Sequence, residues 1–347
     1  MSRRALTLLL AGFLVLAFGV VGAFRPVPYV VLSPGPTENT LGEVEKKPVI
    51  SITGRQTYPT SGALSLVTVA YQGGPAAQID LLTALRGWID PDVAVVPQET
   101  IFAPDRSAKE VEEENTVEMT NSQDSATAAA LHELKIPYSI VVSVNSTEKG
   151  KPADGKLLKD DEIVSIDGKE TKDVEAVGAA VKAHKSGEEV VFGVLRGGKK
   201  AEVPLRTVAG SQGQPQVGVL MQTKYKFPFD VDINVGDVGG PSAGLMFSLG
   251  ILDKLTPGEL TGGKKIAGTG TIEPTGEVGP IGGIQQKMIG ARKAGATVFL
   301  TPADNCAEAV KAAPDGMRLV RADTLHGAVQ ALDALRTGKG DVPACSS

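Results

Sequence analysis

Gly-Gly-Pro-Ser-Ala-Gly at positions 239–244 is the segment that most narrows what this chain can build. The glycines and Pro241 break any element that precedes them, and residues 243–252 then form an apolar run with no charge in it. An apolar run after a Gly-Pro turn is read as a buried helix. Pro241 suits its first turn, where a fixed φ fits and a missing N–H costs nothing. Ser242 then lies at a helix N-terminus, where orphan N–H groups and the positive end of the helix dipole gather. The backbone N–H groups of Gly240, Ser242 and Ala243 become candidates to hold an oxyanion. Without a base nearby, the same serine would be an ordinary N-cap.

Lys287, at the end of Pro-Ile-Gly-Gly-Ile-Gln-Gln-Lys (280–287), is the candidate base. An ammonium accepts no proton, so the lysine has to be held neutral, and desolvation is what lowers a lysine pKa. Ile281, Ile284, Met288 and Ile289 surround it in sequence, and no carboxylate occurs over 280–296. The competing reading is a solvated lysine on an amphipathic helix over 284–293.

These segments, with Ala-Gly-Thr-Gly-Thr-Ile at 267–272 between them, resemble the proteolytic domain of the Lon family. The likeness runs from about 229 to 335 and implies a protease domain over 216–337. It carries over the family's Gly-Pro-Ser-Ala-Gly motif, its Gly-Gly-φ-x-x-Lys motif and its Thr-Gly-x-Ile segment. The resemblance implies a Ser-Lys dyad of Ser242 and Lys287, with Thr269 orienting the amine. ATP-dependent members often carry an aspartate three residues before the serine. This chain has Gly239 there, and Asp237 is the nearby acidic residue that could substitute. Whether subunits form a ring, as the likeness suggests, stays open.

At 347 residues the chain is too long for one ordinary domain, and a net charge of −5 argues against a nucleic-acid partner. His132, His184 and His326 are scattered without ligand spacing, and each is read as lying on a helix surface, so neither a metal site nor a Ser-His triad is favoured. Cys306 and Cys345 make no framework and are read as structural or incidental, a terminal disulfide being the alternative. Residues 258–265 have the glycine and lysine spacing of a phosphate-binding loop. Lys265 stands where a magnesium-binding Ser or Thr belongs, so no nucleotide site is expected.

Residues 5–24 are uncharged, preceded by Arg3-Arg4 and followed by Arg25-Pro26. Such a run is about as long as a bilayer-spanning helix requires. A secretory signal is the competing reading, although 21–24 make a poor cleavage site. An uncleaved anchor over 1–25 with the arginines inside places the remaining chain across the membrane.

Residues 26–115 alternate short apolar strands (29–32, 49–52, 64–69) with turns, then a helix over 80–88, and read as a small α+β unit without chemistry. The charged stretch 109–114 reads as a solvated helix or connector. Residues 116–208 bring a helix (122–134), strands at 138–144 and 161–166, an Asp-Gly turn, a helix with Val174, Val177 and Val181 on one face, and a hairpin across Gly197-Gly198. This order resembles a PDZ domain of the bacterial protease-associated type, which binds an extended chain end as an added strand. A rigid spacer is the alternative. A tail, 338–347, completes an α+β chain.

The combination resembles the membrane-anchored Lon-like proteases of Gram-positive bacteria. It implies a serine endopeptidase that needs no cofactor, no metal and no ATP and acts on extracytoplasmic polypeptides. The rival reading is a non-catalytic peptide-binding scaffold on a Lon-like fold.

Overall fold

The computed structural model describes residues 3–104, 106–211 and 213–346; of Arg3 and Leu6 it describes the backbone only. Residues 1, 2 and 347 of the expected anchor and tail, and the Arg3 side chain, lie outside the described residues. The chain forms two compact units. One takes in the chain up to Ile136 and from Phe229 onward, and the other is Pro137–Pro228.

The first unit is built on a six-stranded sheet in the order Arg318–Ala322, Val298–Pro302, Lys265–Gly268, Ala63–Gly73, Tyr29–Asn39 and Ala94–Pro97. The first four strands run parallel, Tyr29–Asn39 runs antiparallel to them, and Ala94–Pro97 pairs antiparallel with Tyr29–Asn39. Side chains alternate across a strand, so each strand serves two faces. Leu64, Leu66, Ile266, Val298 and Leu300 point into a core shared with the helices Gly244–Leu255, Ala108–Glu133 and Leu325–Thr337. Val67, Ala267 and Phe299 point the other way, against the helices Ile284–Lys293 and Cys306–Ala312. Helices on both faces explain why every residue of Val298–Pro302 is buried.

Residues 26–115 are therefore no separate unit. They supply three strands of this sheet, and Ala63–Gly73 pairs with Lys265–Gly268 across about two hundred positions of sequence. Alternation fixes which side chains face inward but carries no record of the partner strand. The charged stretch 109–114 and the expected helix over 122–134 are one helix, Ala108–Glu133, which packs against Gly244–Leu255 and crosses the expected boundary at 115.

The apolar N-terminal run forms the helix Arg3–Ala23, with Leu8, Phe13, Val15 and Leu16 exposed. Among the described residues no helix is long and apolar enough to cross a membrane. The expected transmembrane span is therefore not found among the described residues, which show an exposed apolar helix there. Cys306 and Cys345 are joined as a disulfide, their Cα atoms 5.0 Å apart, tying the C-terminal segment to the helix Cys306–Ala312.

The second unit has its own core around Val142, Ile163, Val177, Phe192 and Leu205. Its sheet runs Lys199–Arg206, Glu189–Arg196, Glu162–Ile166, Ser139–Thr147 and Val219–Lys226, with the helix Val174–Lys182 packed on it. The hairpin turns at Gly197 and Gly198, both at positive φ, as the Gly-Gly pair predicted. Val219–Lys226 pairs with Ser139–Thr147 and so belongs to this unit, although the sequence reading placed it in the protease segment. The unit also begins after Ile136, because the preceding helix is committed to the other core.

Candidate active site

The serine loop is held before its helix starts. Gly240 has φ +87°, a conformation that L side chains avoid. Pro241 and Ser242 follow in a turn, Ala243 is the N-cap and the helix begins at Gly244, so Pro241 precedes the helix instead of occupying its first turn. A Cβ on Gly244 would come within 2.6 Å of Ile272 Cγ2, so this glycine lets the helix approach the chain that follows Thr269. Two contacts from Ala108–Glu133 fix the loop from the other side. Ser122 Oγ donates to the Pro241 carbonyl at 2.9 Å, and the Gly240 N–H donates to the Asn115 carbonyl at 3.1 Å. Neither partner was legible in the sequence, where each is an ordinary polar residue more than a hundred positions away.

The second bond corrects one expectation. The Gly240 N–H is already committed to Asn115, which removes it from the oxyanion donors. Among the described residues the Ser242 and Ala243 N–H groups have no backbone partner, and they lie where the helix Gly244–Leu255 opens.

Thr269-Gly270, just beyond the strand Lys265–Gly268, grips the serine by its carbonyl. Gly270 N–H and Thr269 Oγ1 each donate to the Ser242 carbonyl oxygen at 2.9 Å. Lys287 comes from the second turn of Ile284–Lys293, which packs on the strands Tyr29–Asn39 and Ala63–Gly73. Its Nζ lies 2.7 Å from Ser242 Oγ and 3.0 Å from Thr269 Oγ1. The lysine is 3% exposed and Thr269 is fully buried.

No carboxylate pairs with this amine among the described residues. Burial therefore acts unopposed on the charged form and lowers the Lys287 pKa to about 8. The threonine hydroxyl gives its proton to the Ser242 carbonyl, so toward the lysine it presents a lone pair. A neutral amine has two N–H bonds and one lone pair. With one N–H directed at Thr269, the amine's lone pair is free to face the serine hydroxyl proton. Asp237 lines the same cleft but is exposed and bonds none of these three residues.

The dyad opens on a cleft of about 590 Å³. One wall is the strand Ala63–Gly73, which pairs with Lys265–Gly268 only through residue 66. Beyond it, residues 67–71 run along the cleft, and on that side no strand pairs with them among the described residues. The opposite wall includes Pro280, Ile281 and Gly282. Among the described residues no group of His, Cys, Asp and Glu is placed to hold a metal ion. His326 is occupied with Glu133, and His184 with Asp167.

Residues 223–332 match the Lon protease (S16) C-terminal proteolytic domain, and residues 115–207 match a PDZ domain. Lon protease 1 of Bacillus subtilis is 32% identical over 92 residues, which is 26% of this chain and 12% of that protein. Lon protease of Campylobacter concisus is 30% identical over 149 residues, covering 42% of this chain and 18% of that protein. The matches thus span a small part of those relatives. The PDZ domain of an SdrC-like protein from Listeria innocua is 29% identical over 24% of this chain and 93% of that one, with a TM-score of 0.23. This chain carries a serine-protease domain of the Lon type together with a PDZ domain.

Proposed function

We propose that this chain, whose folded units carry a Lon proteolytic domain and a PDZ domain, is a membrane-anchored serine endopeptidase that cleaves extracytoplasmic polypeptides without ATP. The observation that carries the reading is the 2.7 Å contact between Lys287 Nζ and Ser242 Oγ at a buried amine with no counter-charge among the described residues. The neutral lysine takes the serine proton as Oγ attacks the scissile carbonyl. The Ser242 and Ala243 N–H groups hold the tetrahedral oxyanion. The lysine then returns the proton to the leaving amine, and a water activated by the same base releases the acyl group. Thr269 keeps the amine aimed. No step in this sequence consumes a nucleotide.

A polypeptide fits the cleft because the cleft-side edge of residues 67–71, without a strand partner among the described residues, offers backbone groups to an extended chain. The PDZ unit supplies a second place to capture a chain end. Two features support a location outside the membrane. The uncharged run 5–24 follows a pair of arginines, and disulfides such as Cys306–Cys345 persist in oxidising compartments.

Ser242→Ala tests the enzyme reading against the scaffold. The variant keeps its secondary structure and loses hydrolysis of an unfolded protein such as casein. Cleavage at the parent rate would make the dyad incidental and favour the scaffold.

A further inference from the structure

The helix Leu81–Ile89 is amphipathic the wrong way round for a helix facing water. It is capped by Asp80, whose side chain accepts from Thr83 N–H at 2.7 Å. Its buried residues are the small ones, Ala84 and Gly87, and a Cβ on Gly87 would meet Val95 Cγ2 at 2.6 Å. The inward face has room for nothing larger. Three large apolar residues of its second half point outward: Leu85 is 43% exposed, Trp88 53% and Ile89 84%. Water-facing helices normally show the reverse pattern. Edge-to-face contact with Tyr29, ring centroids 5.6 Å apart, holds the Trp88 indole in place at this surface.

The patch adjoins the end of the exposed apolar helix Arg3–Ala23. Leu81 N–H donates to the Arg25 carbonyl at 3.1 Å, and Pro26–Val27 pairs with Ile79–Asp80. Phe24 and Arg25 are exposed beside it, as is Arg86, with Asp90 following the helix into water. Tryptophan and tyrosine at the end of an apolar helix, with arginines at the same level, is the composition of a membrane–water interface.

We propose that Leu81–Ile89 lies in the lipid headgroup region, with Leu85, Trp88 and Ile89 in the acyl boundary, and seats the protease unit on the membrane surface. This rests on the reading that the N-terminal helix is inserted in a bilayer, and it specifies a second, independent contact with that bilayer.

Trp88 is the chain's one tryptophan, so the intact protein reports its own environment. The full chain is reconstituted into phosphatidylcholine–phosphatidylglycerol vesicles and floated on a density gradient. The vesicles either lack bromine or carry lipid brominated near the headgroup end of the acyl chains. The expected result is that the protein floats with the vesicles, that bromolipid lowers Trp88 emission by about half, and that aqueous acrylamide quenches it poorly. Leu85→Asp with Ile89→Asp, both at exposed positions, should leave flotation intact and abolish bromolipid quenching. A floating protein whose Trp88 ignores bromolipid and stays open to acrylamide would overturn the inference while sparing the anchor. Protection from acrylamide without bromolipid quenching would overturn it in favour of contact with a second copy. Failure to float would remove the anchor reading and this inference with it.

Discussion

Lys287 is a lysine placed where its charge is unwelcome, and the cost has a definite pH dependence. An unfolded lysine titrates near 10.5, whereas burial holds this one at about 8. Between these values the unfolded chain binds a proton that the folded chain does not, so stability rises with pH across that window. Below about 8 the folded state bears the whole penalty, roughly 3 kcal/mol for a shift of this size. Lys287→Met should therefore stabilise the fold at pH 7, less whatever the contacts to Ser242 and Thr269 contributed, and the gain should shrink toward pH 10.5. Thermal unfolding of the two proteins at both pH values measures this. A gain independent of pH would mean that the amine is charged in the folded protein. Lys287→Arg should be inactive throughout, because a guanidinium does not lose its proton in proteins.

At the scale of elements, the serine loop depends on a helix far away in sequence. Ser122→Ala removes the bond to the Pro241 carbonyl, at a cost of about 1 kcal/mol in stability, and should lower kcat more than it raises KM. Steady-state kinetics on a short peptide test it; an unchanged kcat would show that the loop is held without Ser122. The dyad and Thr269 were legible in sequence because each lies in a short contiguous motif. Asn115 and Ser122 were not, since they act across a helix–loop contact that leaves no local pattern. The inverted helix Leu81–Ile89 was legible as a helix. Its outward apolar face was not, because which face is buried is decided by how closely Val93 and Val95 approach Gly87.

At the scale of the whole molecule, the sequence order of domains is not the order of folded units. The Pro137–Pro228 unit is inserted into a chain whose two flanks build one sheet. That follows from pairings such as Ala63 with Lys265, which no periodicity encodes. It also changes how the PDZ unit has to be removed. Deleting 117–207 would take out most of the helix that holds the serine loop, whereas replacing 137–228 by a flexible linker leaves both flanks whole. The second excision should raise KM for long polypeptides while sparing kcat on a short peptide. Equal loss on both substrates would assign the unit a spacer role.

The central claim is that a neutral Lys287 activates Ser242. Its most direct test is acylation by a small β-lactone, with the modified residue located by peptide mass spectrometry across a pH series. Ring opening transfers the acyl group to Oγ, and the released alkoxide takes up the proton that the serine gives to the lysine. The account predicts a single adduct on Ser242, forming at a rate that rises through pH about 8 and levels above it, with none in Lys287→Met. Acylation of Ser242 that is as fast in Lys287→Met as in the parent, or that shows no limb near pH 8, would contradict it.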